Sequence, residues 1–137
     1  MKISYTFCPC FLLITILYSI LVGCSPSNAQ DGFIQRIENQ ELKKLQMTTA
    51  LQLVDVRTAG EFERGYIEGA RLIDFTKADF SEKVGKLDRT KPIAVYCAVG
   101  GRSYQSTAVL KRLGFQEIYD LKGGIQGWKK EGLPLKK

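Results

Sequence analysis

The hydrophobic positions of the chain fall into short runs, and the segments between those runs have helical spacing. The two most continuous runs, 51–56 and Ile93–Tyr96, have the pattern of strands that are buried on both faces of a parallel sheet. Weaker runs predict three further strands, at Phe33–Ile37, 70–73 and 117–119. Because strands alternate with helices, we predict a single α/β domain with a doubly wound, mostly parallel five-stranded sheet that helices flank.

Helix signals separate the predicted strands. Phe80, Val84 and Leu87 have the spacing of one helix face, and Asn39 and Thr58 are residue types that often precede the first turn of a helix. We predict helices at 40–46, 59–64, 77–87, 103–113 and 126–130. We expect three aromatic side chains to fill the core rather than to form an interaction surface: Phe115, Tyr119 and Trp128.

The first 24 residues have a different pattern. Lys2 precedes an apolar run, 11–22, that is shorter than the roughly 20 residues needed to span a bilayer, which is typical of a secretory signal peptide. The run ends in Leu21-Val22-Gly23-Cys24, which resembles a bacterial lipobox. That resemblance implies cleavage before Cys24 and a lipid on that cysteine. The alternative is an uncleaved anchor helix.

These patterns divide the chain into a lipoprotein signal peptide (1–23), a polar tether (24–32) and the α/β domain (33–137). We therefore expect an exported protein that is lipid-anchored to a bacterial membrane and faces the periplasm or the cell exterior. Cys8 and Cys10 would leave with the signal peptide, so Cys97 would be the one free thiol of the mature chain. An exported thiol without a disulfide partner indicates reactivity, although a buried, inert cysteine is the alternative.

The composition narrows the chemistry further. The chain of 137 residues contains no histidine, which excludes Ser–His and Cys–His catalytic pairs and removes the commonest metal ligand. Its net charge is +6, and the basic residues are scattered, which favours small anionic substrates or a membrane surface and not nucleic acid. We expect no metal, no organic cofactor and a monomer.

The segment 97–103 is the strongest candidate site. Cys97 follows a predicted strand and precedes a predicted helix, where free backbone N–H groups and the helix dipole stabilise a thiolate. The residues after it are small, so successive N–H groups can point at the sulfur. We predict a sulfur anion held by the backbone of Ala98, Val99, Gly100, Gly101, Arg102 and Ser103.

Two arginines and one aspartate lie close to this candidate site in the predicted topology. Arg102 would either bind an oxyanion of the substrate or pair with Asp55 and support the loop. Asp55 needs a partner because it follows a buried run. Arg57 follows on the same turn, and its sequence neighbours alone favour a surface ion pair with Glu61 or Glu63.

Several segments together resemble the rhodanese family of single-domain sulfurtransferases. They are Asp55-Val56-Arg57 with Glu61-Phe62, then 65–70, 96–103 and 123–134. The resemblance implies that Cys97 accepts a sulfane sulfur as a persulfide, from a small anionic donor such as thiosulfate, and passes it to a thiol or cyanide-like acceptor. It also implies donor binding by Arg57, Arg102 and the loop. The chain has Ala98 where many members have a basic residue, which predicts weaker binding of thiosulfate.

Two other functions compete with this interpretation. Phosphatases of similar fold have arginine six positions after the cysteine, whereas Arg102 is five positions after Cys97, and the shorter loop fits one sulfur better than a phosphate. A non-catalytic rhodanese-like binding module is the second alternative. The presence of Cys97 argues against a binding module without excluding one.

Overall fold

The structure, a computed structural model, describes residues 32–137. The predicted signal peptide, the predicted lipidation site Cys24 and all of the predicted tether except Gly32 lie outside the described residues. Strands and helices alternate in the order β1 (Phe33–Ile37), α1 (Asn39–Thr48), β2 (Gln52–Asp55), α2 (Ala59–Glu63), β3 (Arg71–Leu72), α3 (Phe80–Gly85), β4 (Ile93–Tyr96), α4 (Gly101–Arg112), β5 (Glu117–Leu121) and α5 (Gly124–Lys130). None of the helices in this part of the chain is both long and apolar enough to cross a membrane.

One sheet organises the described residues. Its five strands lie in the order β1-β5-β4-β2-β3, and every pairing is parallel, so the predicted mostly parallel sheet is entirely parallel. β4 lies at the centre, and all four of its residues are buried. This burial on both faces explains the continuous apolar run that predicted the strand.

Helices cover both faces of the sheet and create two hydrophobic cores. One core combines sheet residues such as Val54 and Val95 with residues of α3 and α4: Phe80, Val84 and Leu110. The other combines sheet residues such as Leu53 and Tyr96 with residues of α1 and α5: Leu42, Ile125 and Trp128. The doubly wound α/β prediction is therefore confirmed, and Phe115, Tyr119 and Trp128 are buried as predicted.

Several element boundaries differ from the predicted ones. Glu38 rather than Asn39 is the N-cap of α1, and Asn39 is a buried first residue of that helix. The helix α4 begins at Gly101 instead of Ser103, and β5 continues to Leu121. β5 is longer than its apolar pattern because β1 and β4 pair with it on opposite sides.

Candidate active site at the β4–α4 loop

Cys97 follows β4 at the carboxyl edge of the parallel sheet, where ligands of open α/β sheets bind. The residue is only 1% exposed, so a reagent must present a small group to the sulfur. Val99 is the most exposed side chain of the loop, at 62%, whereas Gly100 and Ser103 are buried. Because α4 starts at Gly101, the second half of the predicted loop forms the first turn of this helix.

The backbone of this turn surrounds the sulfur with donors. The N–H of Gly100 donates to Cys97 Sγ over 3.1 Å. Gly100 has φ +103°, a left-handed conformation that favours glycine and that turns this N–H toward the sulfur. Burial opposes ionisation and is the largest single influence, but backbone hydrogen bonds from Ser103, Gly100 and Val99 outweigh it, so the pKa of the Cys97 thiol lies below its ordinary value.

The carbonyl groups of the same loop point the other way, toward α5. Ile125 N donates to the Cys97 carbonyl over 2.9 Å, and Gln126 N donates to the Ala98 carbonyl over 3.1 Å. The first turn of α5 can come this close to the loop only with glycine at position 124, since a Cβ there would lie 2.3 Å from Cys97 O. The first turn of α5 therefore holds the Ala98–Val99 peptide in place, and the N–H of that peptide is one of the amides that lower the pKa of the Cys97 thiol.

Arg102 pairs with Glu61 and not with Asp55, which corrects one of the two predicted roles of this arginine. Its NH1 donates to Glu61 Oε2 over 2.8 Å, and its NH2 donates to Oε1 over 2.7 Å. Glu61 also accepts a hydrogen bond from the backbone N–H of Thr58, which is one half of the capping box of α2, and another from the Thr58 hydroxyl. The bonds from Arg102, followed by those from Thr58, lower the pKa of Glu61 to about 2. The carboxylate is therefore ionised at neutral pH.

Asp55 finds its partner in Arg57, two residues along the chain. Arg57 Nε lies 2.9 Å from both carboxylate oxygens, and its NH2 also donates to the Gly65 carbonyl over 2.9 Å. Arg57 is 4% exposed, so the predicted surface ion pair of Arg57 with Glu61 or Glu63 is wrong. Sequence reasoning expected a surface arginine, but the buried carboxylate at the end of β2 attracts the nearest cation. A contact of Arg57 with substrate stays a prediction.

A third ion pair beside the loop was missed by the sequence analysis. Asp120 in β5 is fully buried, accepts a hydrogen bond from Ser103 Oγ at 2.6 Å and lies 3.0 Å from Arg36 Nε. Burial raises the pKa of Asp120, against the lowering effects of Ser103 and Arg36. The sequence does contain a signal for this pair. Asp120 is a carboxylate next to apolar strand residues, as Asp55 is, and such a carboxylate needs a partner.

The assembled site offers one thiol of lowered pKa, backbone amides that donate to its sulfur, and paired charges beside it. Within residues 32–137, no group of three or more His, Cys, Asp or Glu side chains is placed to hold a metal ion. Such an arrangement suits a nucleophilic sulfur that alternates between anionic forms, since the backbone donors stabilise charge on sulfur without a proton shuttle.

Comparison with known proteins agrees with this geometry. The family model of the rhodanese-like domain matches residues 38–131. A sulfurtransferase from Allochromatium vinosum is 30% identical over 103 residues, which cover 74% of this chain and 94% of that protein. The thiosulfate sulfurtransferase GlpE from Pseudomonas aeruginosa is 34% identical over 96 residues, which cover 69% of this chain and 84% of that protein.

A solved structure matches equally well. The crystal structure of a rhodanese-related protein from Thermoplasma volcanium superposes with a TM-score of 0.66 at 34% identity, covering 74% of this chain and 97% of that one. The chain therefore belongs to the rhodanese-like domain family. Its fold is a single rhodanese-like α/β domain, and proteins named sulfurtransferases are among its relatives.

Proposed function

We propose that this protein is a sulfurtransferase that carries a sulfane sulfur on Cys97 as a persulfide. The observation that carries the proposal is the hydrogen bond of Gly100 N–H to Cys97 Sγ at 3.1 Å, within a turn whose amides lower the pKa of the thiol. A thiolate is the form that attacks sulfur. The naming of relatives as sulfurtransferases supports the same reaction class.

The reaction has two nucleophilic steps. The Cys97 thiolate attacks the outer sulfur of a donor such as thiosulfate, the S–S bond of the donor breaks, and sulfite leaves with the electron pair. A thiol or cyanide-like acceptor then attacks the terminal sulfur of the persulfide, and the bond to Sγ breaks to restore the thiolate. The N–H groups of the loop stabilise the anion in both states.

Mass spectrometry of the intact full chain tests this proposal. We expect thiosulfate or a hydropersulfide to add the mass of one sulfur atom at Cys97, and cyanide to remove it as thiocyanate. Cys97→Ser is expected to abolish both steps while the protein still folds, because serine keeps the shape of the side chain. If no donor loads Cys97, the proposal is overturned in favour of a non-catalytic binding module, and release of phosphate from an aryl phosphate would favour a phosphatase.

We also propose that the domain is exported and tethered to a bacterial membrane through a lipid on Cys24. The support is the sequence alone: a basic start, a short apolar run and the lipobox-like residues 21–24. The intact mass of the N-terminus from membranes of producing cells tests it. Cleavage before Cys24 with an acyl modification is expected, and an unmodified Met1 in the soluble fraction would contradict it.

A further inference from the structure

The charges around the Cys97 loop are paired within the protein. Three arginines at this edge of the sheet each have a carboxylate partner: Arg57 with Asp55, Arg102 with Glu61, and Arg36 with Asp120. Lys122, which follows β5, pairs with Glu38 at 2.7 Å. These four cations therefore give the site much less net positive charge than their number suggests.

Among these pairs, Arg102–Glu61 is the one whose arginine belongs to the Cys97 loop, so Glu61 neutralises the positive charge nearest the sulfur in sequence. Arg102 lies in the first turn of α4, and Cys97 is among the groups that raise its pKa. Both terminal nitrogens of its guanidinium donate to Glu61, at 2.8 and 2.7 Å. The carboxylate therefore occupies the same fork of donors that an oxyanion of a substrate would use. An anionic donor must displace Glu61 or bind without Arg102.

The rest of the loop has no charged side chain that could replace the positive charge of Arg102 when Glu61 neutralises it. Positions 98–101 are Ala, Val, Gly and Gly, so the amides are the remaining donors between the cysteine and Arg102. Thiosulfate carries two negative charges and must approach a thiolate, which adds a third. A hydropersulfide carries at most one negative charge and meets less repulsion.

We propose that Glu61 is a specificity-determining residue that selects for a hydropersulfide, R–S–SH, as the sulfur donor and against the thiosulfate dianion. The proposal rests on the sulfurtransferase function above and assigns its donor class. The Cys97 thiolate attacks the terminal sulfur of the hydropersulfide, the S–S bond breaks, and the thiolate R–S⁻ leaves with the electron pair. Cys97 keeps the transferred sulfur with its proton, so atoms and charge balance and no other oxidant is needed.

Glu61→Gln in the full chain tests the assignment. Glutamine has nearly the same size and can still accept from Thr58, but it no longer neutralises Arg102. The measurement is kcat/KM for thiosulfate and for the hydropersulfide of 2-mercaptoethanol, with cyanide as acceptor. We expect the wild type to prefer the hydropersulfide, and we expect Glu61→Gln to raise the thiosulfate-to-hydropersulfide ratio about tenfold, since one opposing unit charge is removed near the donor.

Two variants isolate the cause. Glu63→Gln removes the same charge from an exposed position of the same helix, so the ratio should keep its wild-type value. Glu61→Gln combined with Arg102→Gln removes both charges, so the gain for thiosulfate should disappear. If Glu61→Gln does not fold, Glu61→Asp, whose shorter side chain cannot keep both bonds to Arg102, should raise the ratio in the same direction.

The outcomes separate the two proposals. A wild type that prefers thiosulfate, or a ratio that Glu61→Gln leaves unchanged, overturns the role of Glu61 while the sulfurtransferase function stands. Failure of both donors to load Cys97 overturns the sulfurtransferase function, and the donor assignment falls with it.

Discussion

Two arginine–carboxylate pairs near the end of β2 have similar chemistry and opposite surroundings. The side chains of Asp55 and Arg57 are 0% and 5% exposed, whereas those of Glu61 and Arg102 are 22% and 29% exposed. The interior pair is sealed from water and has the Gly65 carbonyl as a further partner. The loop pair is accessible to solvent and to ligands. Burial therefore makes the first pair part of the fold, whereas exposure leaves the second pair within reach of the proposed sulfur donor.

The largest expected effect comes from breaking the interior pair. Arg57→Ala leaves the Asp55 carboxylate buried without its cation, which should lower the free energy of unfolding by about 3–5 kcal/mol. Chemical denaturation of the full chain measures the loss. Arg64→Ala, which removes an exposed arginine from the same segment, is the control and should change stability by less than about 0.5 kcal/mol. Equal losses in the two variants would contradict a structural role for the interior pair.

Breaking the loop pair should change the reaction more than the fold. Arg102→Ala is expected to cost less than about 1 kcal/mol of stability, because the pair is partly exposed. It leaves the charge of Glu61 uncompensated beside the sulfur, so kcat/KM for thiosulfate should fall about tenfold. Melting curves recorded beside the kinetics separate the two effects. A large loss of stability with unchanged kinetics would show that the Arg102–Glu61 pair serves the fold rather than the reaction, which would contradict the comparison.

The smallest expected effect concerns the acid stability that Glu61 supplies. Its pKa is lowered from 4.5 to about 2 in the folded protein, chiefly by Arg102. A depressed folded pKa means that this stabilisation is complete above the unfolded value and is lost as the pH falls through the folded one. Glu61→Gln should therefore flatten the loss of stability between pH 4.5 and 2, measured by urea denaturation at each pH. Glu63→Gln should retain the wild-type dependence of stability on pH. The same dependence in both variants would contradict a contribution of Glu61 to acid stability.

The order of elements and the location of the cysteine could be predicted because they depend on local patterns. The buried run Ile93–Tyr96 followed by Cys97 and two glycines predicts a strand, a loop and a helix without knowledge of the rest of the chain. The position of Thr58 before the first turn of α2 follows in the same way from its residue type. Both features involve residues that are neighbours in sequence.

The partners of the charges could not be predicted, because they depend on which strands are neighbours in the sheet. Glu61 and Arg102 are 41 positions apart, and their contact requires that β2 lie beside β4. Asp120 meets Ser103 because β5 pairs with β4, and Arg36 joins them because β1 lies on the far side of β5. Hydrophobic periodicity predicts strands but does not specify their order in the sheet. Several carboxylates were therefore possible ion-pair partners for each arginine.

The ionisation of Cys97 is the most direct test of the central claim that backbone amides hold a reactive thiolate. The rate of alkylation by iodoacetamide can be followed across pH on the full chain, by mass spectrometry of the peptide that contains Cys97, so that the other cysteines do not contribute. The same peptide in the denatured chain gives the reference. We expect the pKa of Cys97 in the folded protein to lie below that reference. A folded pKa equal to or above the denatured one would contradict it.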